Sequence, residues 1–140
     1  MPEPPAAELV RGFVATSPFS RRVGLEVVAL DSDQATLRLP FDAENITVAE
    51  VVHGGAIATL LDTAATASAF CAPEPFEAAG GATVSLSVEY IRAGRGDLTA
   101  VGHAVRRAGG LCFCEVTATD ADDRVVAKAL ATYRFEPAAN

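Results

Sequence analysis

Two rhythms of hydrophobic and polar positions divide this chain. Near its start, Leu9, Val10, Phe13 and Val14 recur at helical spacing, which predicts a helix over residues 6–15. Ser17 followed by Pro18 fits a cap with proline at the first helical position, so a second short helix is expected to run to about Val23 and stop at Gly24. The rhythm then becomes that of strands. Residues 25–30 are apolar apart from Glu26, Asp31-Ser32-Asp33 reads as a turn, and residues 34–39 alternate, with Ala35, Leu37 and Leu39 on one side. These two runs make a hairpin. Residues 40–52 are irregular. From Gly54 to about Cys71 the chain has no proline and a single charge, and this is its longest helical stretch. Pro73, Pro75, Gly80 and Gly81 then punctuate a loop. Four strand-like runs follow, over residues 82–92, 97–106, 111–119 and 125–135.

The order is helix, two strands, one long helix, four strands. Strands do not alternate with helices, which argues against a doubly wound parallel sheet. An antiparallel sheet packed on one central helix fits, and the class is α+β. No repeat or composition shift marks a boundary, so residues 1–140 read as a single domain, with Pro2, Pro4 and Pro5 making a loose leader over residues 1–5.

Composition adjusts this picture. Half of the residues are hydrophobic, and 28 of the 140 are alanine, so bulky core groups are scarce. Close backbone packing, or burial shared with a second subunit, must make up the difference. The formal net charge of −7 argues against a nucleic-acid platform, which presents a basic surface, but leaves room for a small basic pocket. Cys71, Cys112 and Cys114 lack metal-site spacing; Cys112 and Cys114 share one side of a strand and read as small core residues or as a redox pair, the former in keeping with a reducing, cytoplasmic setting. Asp120-Ala-Asp-Asp123 lacks the glycine and closing glutamate of a calcium loop and reads as a hairpin turn. The first residues have neither the basic nor the apolar segment of a signal peptide, and the stretch around Asp62 is a poor membrane span.

The chemistry gathers on the central helix. Residues 54–70 are apolar or small nearly all round, as in a helix wrapped by other structure, and Asp62 is their only charge. A buried carboxylate without a partner costs several kcal/mol or shifts its pKa. Asp62 therefore either lies at a solvated edge, bonds Thr59 or Thr66 on its own face, or serves a pocket as base or nucleophile. His53-Gly54-Gly55 opens the same helix, where free backbone N–H groups favour an anion or a polarised oxygen. Gly54 and Asp62 are eight residues apart, ~12 Å along one helix. One reacting carbon cannot meet both in a single copy. If both serve one site, two antiparallel copies of the helix must supply them, which requires a dimer.

Val52-His53-Gly54-Gly55-Ala56-Ile57-Ala58-Thr59-Leu60-Leu61-Asp62-Thr63-Ala64 resembles the helix signature of hotdog-fold acyl-CoA thioesterases of the phenylacetate-degradation (PaaI-type) group. The segment from Thr83 through Tyr90 and Arg92 to Gly94 resembles the strand that follows in that family. The resemblance covers residues 24–135. It implies a hotdog fold, with a long helix held in an antiparallel sheet, in a homodimer that joins two sheets edge to edge and often pairs into a tetramer. It implies that Asp62 activates water or attacks the thioester. The Gly54 N–H of the other subunit polarises the carbonyl, Thr83 helps place the water, and His53 supports the carbonyl or the loop. Gly55 and Asn45 fall beside these residues. By position, Arg92, Arg106, Arg107, Gly109 and Gly110 resemble the region that meets coenzyme A.

One departure stands out. The family often has Asn six residues before the His and Gly three before it; here these positions are Thr47 and Glu50. The expected activity is hydrolysis of an aliphatic or aromatic acyl-CoA, without metal or cofactor, coenzyme A being part of the substrate. No nucleic-acid or membrane partner is expected. Two other functions suit the same scaffold: a non-catalytic acyl-CoA-binding module, against which Asp62 argues, and a hydratase or dehydratase, for which the helix lacks a second histidine.

Overall fold

Gly24, left-handed at φ +94°, closes the helical opening of the chain and turns it into the sheet. The computed structural model describes residues 2–137. Helix α1 spans Ala7–Thr16 and α2 spans Pro18–Val23, each within a residue of expectation. In the leader, Pro4 is buried and Glu3 pairs with Arg11, while Met1 lies outside the described residues. Strands β1 (Glu26–Asp31) and β2 (Gln34–Leu39) form the hairpin. After an irregular link with one 3-10 turn at Ala43–Asn45 comes the central helix α3, Gly54–Phe70.

The remaining chain is β3 (Gly80–Tyr90), β4 (Leu98–Ala108), β5 (Leu111–Thr119) and β6 (Val125–Glu136). All six strands join one antiparallel sheet in the order β1-β2-β4-β5-β6-β3, with α3 packed on one face. This is the hotdog arrangement. β3 starts and ends two residues earlier than its alternation predicts, so Ile91 and Arg92 leave the sheet and lead into the next loop.

Alanine brings helix and sheet together. Ala64, Ala65, Ala67 and Ala69 on α3 are buried, as are Ala100, Ala118 and Ala127 on the strands. At Gly102 the approach is closer still: a Cβ there would stand 2.5 Å from the Ala64 carbonyl oxygen. Leu37, Leu39, Leu60, Leu61, Leu98 and Val126 fill the space between. Cys112 and Cys114 point together into this core, their sulfurs 3.6 Å apart. Asp120 folds its own turn, accepting from the backbone N–H groups of Asp122 and Arg124.

The sheet does not wrap α3 completely. Gly55 is exposed, and Ala58, Thr59, Asp62, Thr63 and Thr66 are partly so, which leaves one open stripe along the helix. β3 is an open edge eleven residues long.

Candidate active site

Asp62 sits on the open stripe of α3 and is half-buried. Its Oδ1 accepts a hydrogen bond from the Thr83 hydroxyl at 2.6 Å. Thr83 belongs to β3, so edge strand and helix meet at this pair. The helical neighbours do not supply the partner: Thr59 donates to the Gly55 carbonyl and Thr63 to the Thr59 carbonyl. Asp62 borders a cavity of about 390 Å³ whose walls include Phe13, Phe19, Ser20, Thr66 and Leu86. A carboxylate held by one hydroxyl beside apolar walls keeps a second oxygen for chemistry. Burial raises the pKa of Tyr133, and the charge on Asp62 adds to that rise.

The helix start is built around backbone donors. His53 is the N-cap; its Nδ1 accepts from the Gly55 N–H at 2.8 Å, and its carbonyl accepts from Ala56 and Ile57. Among the described residues nothing accepts from the Gly54 N–H. Glycine at position 55 gives this cap room, since a Cβ there would stand a tight 3.0 Å from His53 Nδ1. Asn45 braces the same place: its carbonyl accepts from the His53 N–H at 2.7 Å, while its side-chain amide donates to the Val23 carbonyl. His53, Gly55 and Asn45 line a second cavity, about 350 Å³, with Phe19, Arg22 and Glu44. Phe19 and Thr59 border both cavities, making them neighbours along α3.

Gly54 and Arg92 border a third cavity of about 360 Å³, with Tyr90, Ile91 and Thr47. Within one protomer, Gly54 and Asp62 therefore do not share a cavity. Ala49 and Glu50, in the preceding loop, adopt positive φ of 49° and 62°. A residue with a Cβ pays a strain cost there that glycine avoids.

The basic candidates are scattered. Arg107 spends its guanidinium on the carbonyls of Ser68 and Ala69, at the C-terminal end of α3, and on Asp33. Arg106 and Arg92 are exposed. Gly109 and Gly110 form the left-handed turn between β4 and β5 and border a cavity of about 410 Å³ with Pro73, Phe76 and Phe135. Among the described residues no group of three or more His, Cys, Asp or Glu converges as a metal site would.

Sequence reasoning assigned no role to Tyr90, whose hydroxyl donates to the Gly54 carbonyl at 2.7 Å. Nor did it assign one to Phe19 or Arg22. Short-range patterns predict the strand and the helix that carry them, but not which side chains cross between elements.

The sequence profile of the thioesterase superfamily matches residues 49–127, more than half of the chain. The chain belongs to the thioesterase superfamily. That membership makes it a thioester hydrolase. A Halobacterium salinarum protein carrying an esterase name is 34% identical over 116 residues, which are 80% of this chain and 76% of that one. The medium/long-chain acyl-CoA thioesterase YigI of Salmonella typhimurium is 30% identical over 137 residues, 86% of this chain and 87% of its own. The E. coli PaaI protein of the phenylacetic acid degradation operon superposes with a TM-score of 0.82, covering 93% of this chain and 92% of that one; at 15% identity the likeness is one of fold. The superfamily match takes in His53, Gly54, Asp62, Thr83 and Tyr90, and so spans the Asp62–Thr83 pair and the capped helix start. Among the described residues no helix is long and apolar enough to cross a membrane.

Proposed function

We propose that this thioesterase hydrolyses acyl-CoA with Asp62 as its reacting carboxylate. The observation that carries the reading is Asp62 itself. It is the one charge on a largely buried helix, held by Thr83 at 2.6 Å and open to an apolar-walled cavity. Asp62 either removes the proton from the attacking water or attacks the thioester carbonyl itself. Both routes begin from the ionised carboxylate that the Thr83 hydroxyl stabilises. The C–S bond breaks and the thiolate of coenzyme A takes up a proton that comes from the attacking water; in the second route that water arrives afterwards, cleaving the anhydride formed between the acyl group and Asp62 and releasing the carboxylic acid. The phenyl rings of Phe13 and Phe19 favour an apolar acyl group, aliphatic or aromatic. No cofactor is required, because a carboxylate and an amide supply both halves of the catalysis.

The second half is the Gly54 N–H. It is unpartnered at a helix N-terminus, where the dipole favours the charge that develops on the carbonyl oxygen. Its separation of ~12 Å from Asp62 along one helix supports a role in the site of a second subunit. The open stripe of small residues on α3 and the long edge strand β3 support a homodimer built about those surfaces. Val105, Phe113 and Leu130, exposed on the strands, support a further pairing of dimers. The exposed Arg92 and Arg106 and the Gly109–Gly110 turn are left to meet the coenzyme A arm, since Arg107 is already bonded to Ser68, Ala69 and Asp33. The buried free thiols support a reducing, cytoplasmic compartment.

Asp62→Asn tests the reading. It keeps the size of the side chain and an acceptor for Thr83. Assayed by free-thiol release over a panel of aliphatic and aromatic acyl-CoAs, kcat should fall about 100- to 10,000-fold, with the melting temperature and molecular mass unchanged. Turnover within a few-fold of the parent protein would remove Asp62 from the mechanism.

A further inference from the structure

The phenol of Tyr90 and the imidazole of His53 are joined through one peptide group. Tyr90 donates to the Gly54 carbonyl at 2.7 Å, and the N–H on the other side of that peptide, from Gly55, donates to His53 Nδ1 at 2.8 Å. The two bonds run in one direction, and such chains polarise each successive donor. A neutral imidazole that accepts at Nδ1 carries its hydrogen at Nε2. Tyr90 reaches this pair of bonds from the far side of the helix start, since it borders one cavity and His53 another. The Tyr90 ring also covers Gly54, its outer atoms 3.4–3.5 Å from where a Cβ would be. The same strand carries Thr83, so β3 holds both parts of α3 that the mechanism uses.

We propose that Tyr90 is a positioning residue of the site: acting through the Gly54–Gly55 peptide, it fixes His53 as an Nε2–H donor and braces the helix start that presents the Gly54 N–H. This rests on the reading that Gly54 and His53 serve the thioester carbonyl. Tyr90 does not touch the reacting atoms in this role. Its hydroxyl is a brace, and removing it leaves the peptide to water.

Tyr90→Phe removes that hydroxyl and keeps the ring over Gly54. Two readouts are needed. Steady-state hydrolysis of an acyl-CoA should show kcat about tenfold lower, with KM within twofold. Nitrogen-15 spectra of the histidine-labelled, substrate-free protein in mildly alkaline buffer should show His53 as the Nε2–H tautomer in the parent and as a mixture in the variant. Both must move. An unchanged kcat, or an unchanged tautomer, overturns the proposal. The tautomer is read without substrate, so failure of the brace is distinct from failure of the reaction, which Asp62→Asn reports.

Discussion

At Gly54 a single hydrogen carries the argument, and one substitution removes it. Proline is tolerated at the first position of a helix and has no N–H there, and its Cβ would meet the Tyr90 ring at an ordinary contact distance of 3.4 Å. The preceding residue must then be extended, and His53 already is, at φ −59° and ψ 134°. Gly54→Pro should therefore fold, keep its melting temperature within a few degrees and lose about 100-fold or more in kcat, as measured by thiol release. Cys71 gives a pH prediction. Burial pushes its thiol from the ordinary 9.0 up to about 11. The folded protein keeps a proton that the unfolded chain releases, so this stabilisation is whole below about pH 9 and is lost as pH rises toward 11. Denaturant midpoints should fall through that window, and less steeply in Cys71→Ala. Much of the site was legible at this scale. Asp62 stood out because no other charge lies on its helix. Thr83 is 21 residues away, and only the family resemblance placed it beside Asp62. The cap made by His53 and the bond from Tyr90 depend on side-chain rotamers, which no spacing specifies.

Between elements, the closest approach is that of α3 to β4. Gly102→Ala would drive a Cβ to 2.5 Å from the Ala64 carbonyl oxygen, backbone against side chain, with no flexible group to yield. A loss of about 1–3 kcal/mol in unfolding free energy is expected, read from denaturant melts. The elements themselves were legible because their periodicities are clean. The β2 and β5 limits agree with the alternation of their residues, and α3 ends one residue before the expected position. β3 shifted because its register is set by pairing with β6 and by a bulge between Thr83 and Ser85, neither of which is a local property. Arg107, read by position as a residue near coenzyme A, also closes the C-terminal end of α3, where unpaired carbonyls attract a cation. That second role depends on a helix end 37 residues earlier in the chain.

For the whole molecule, the alanine excess has a concrete form. Small residues bring the sheet onto one side of α3 and leave a stripe of Gly55, Thr59, Asp62, Thr63 and Thr66 uncovered on the other. On the proposed mechanism, burial of that stripe and completion of each site fall to a second copy. In the proposed dimer one site takes Asp62 from one subunit and the Gly54 N–H from its partner. Co-expression of Asp62→Asn and Gly54→Pro chains under two different tags allows the mixed dimer to be isolated. In that dimer one site carries both groups and the other carries neither, so thiol release should recover to about half that of the parent, although each variant alone is nearly inactive. A mixed dimer no more active than its two parents would contradict the shared site.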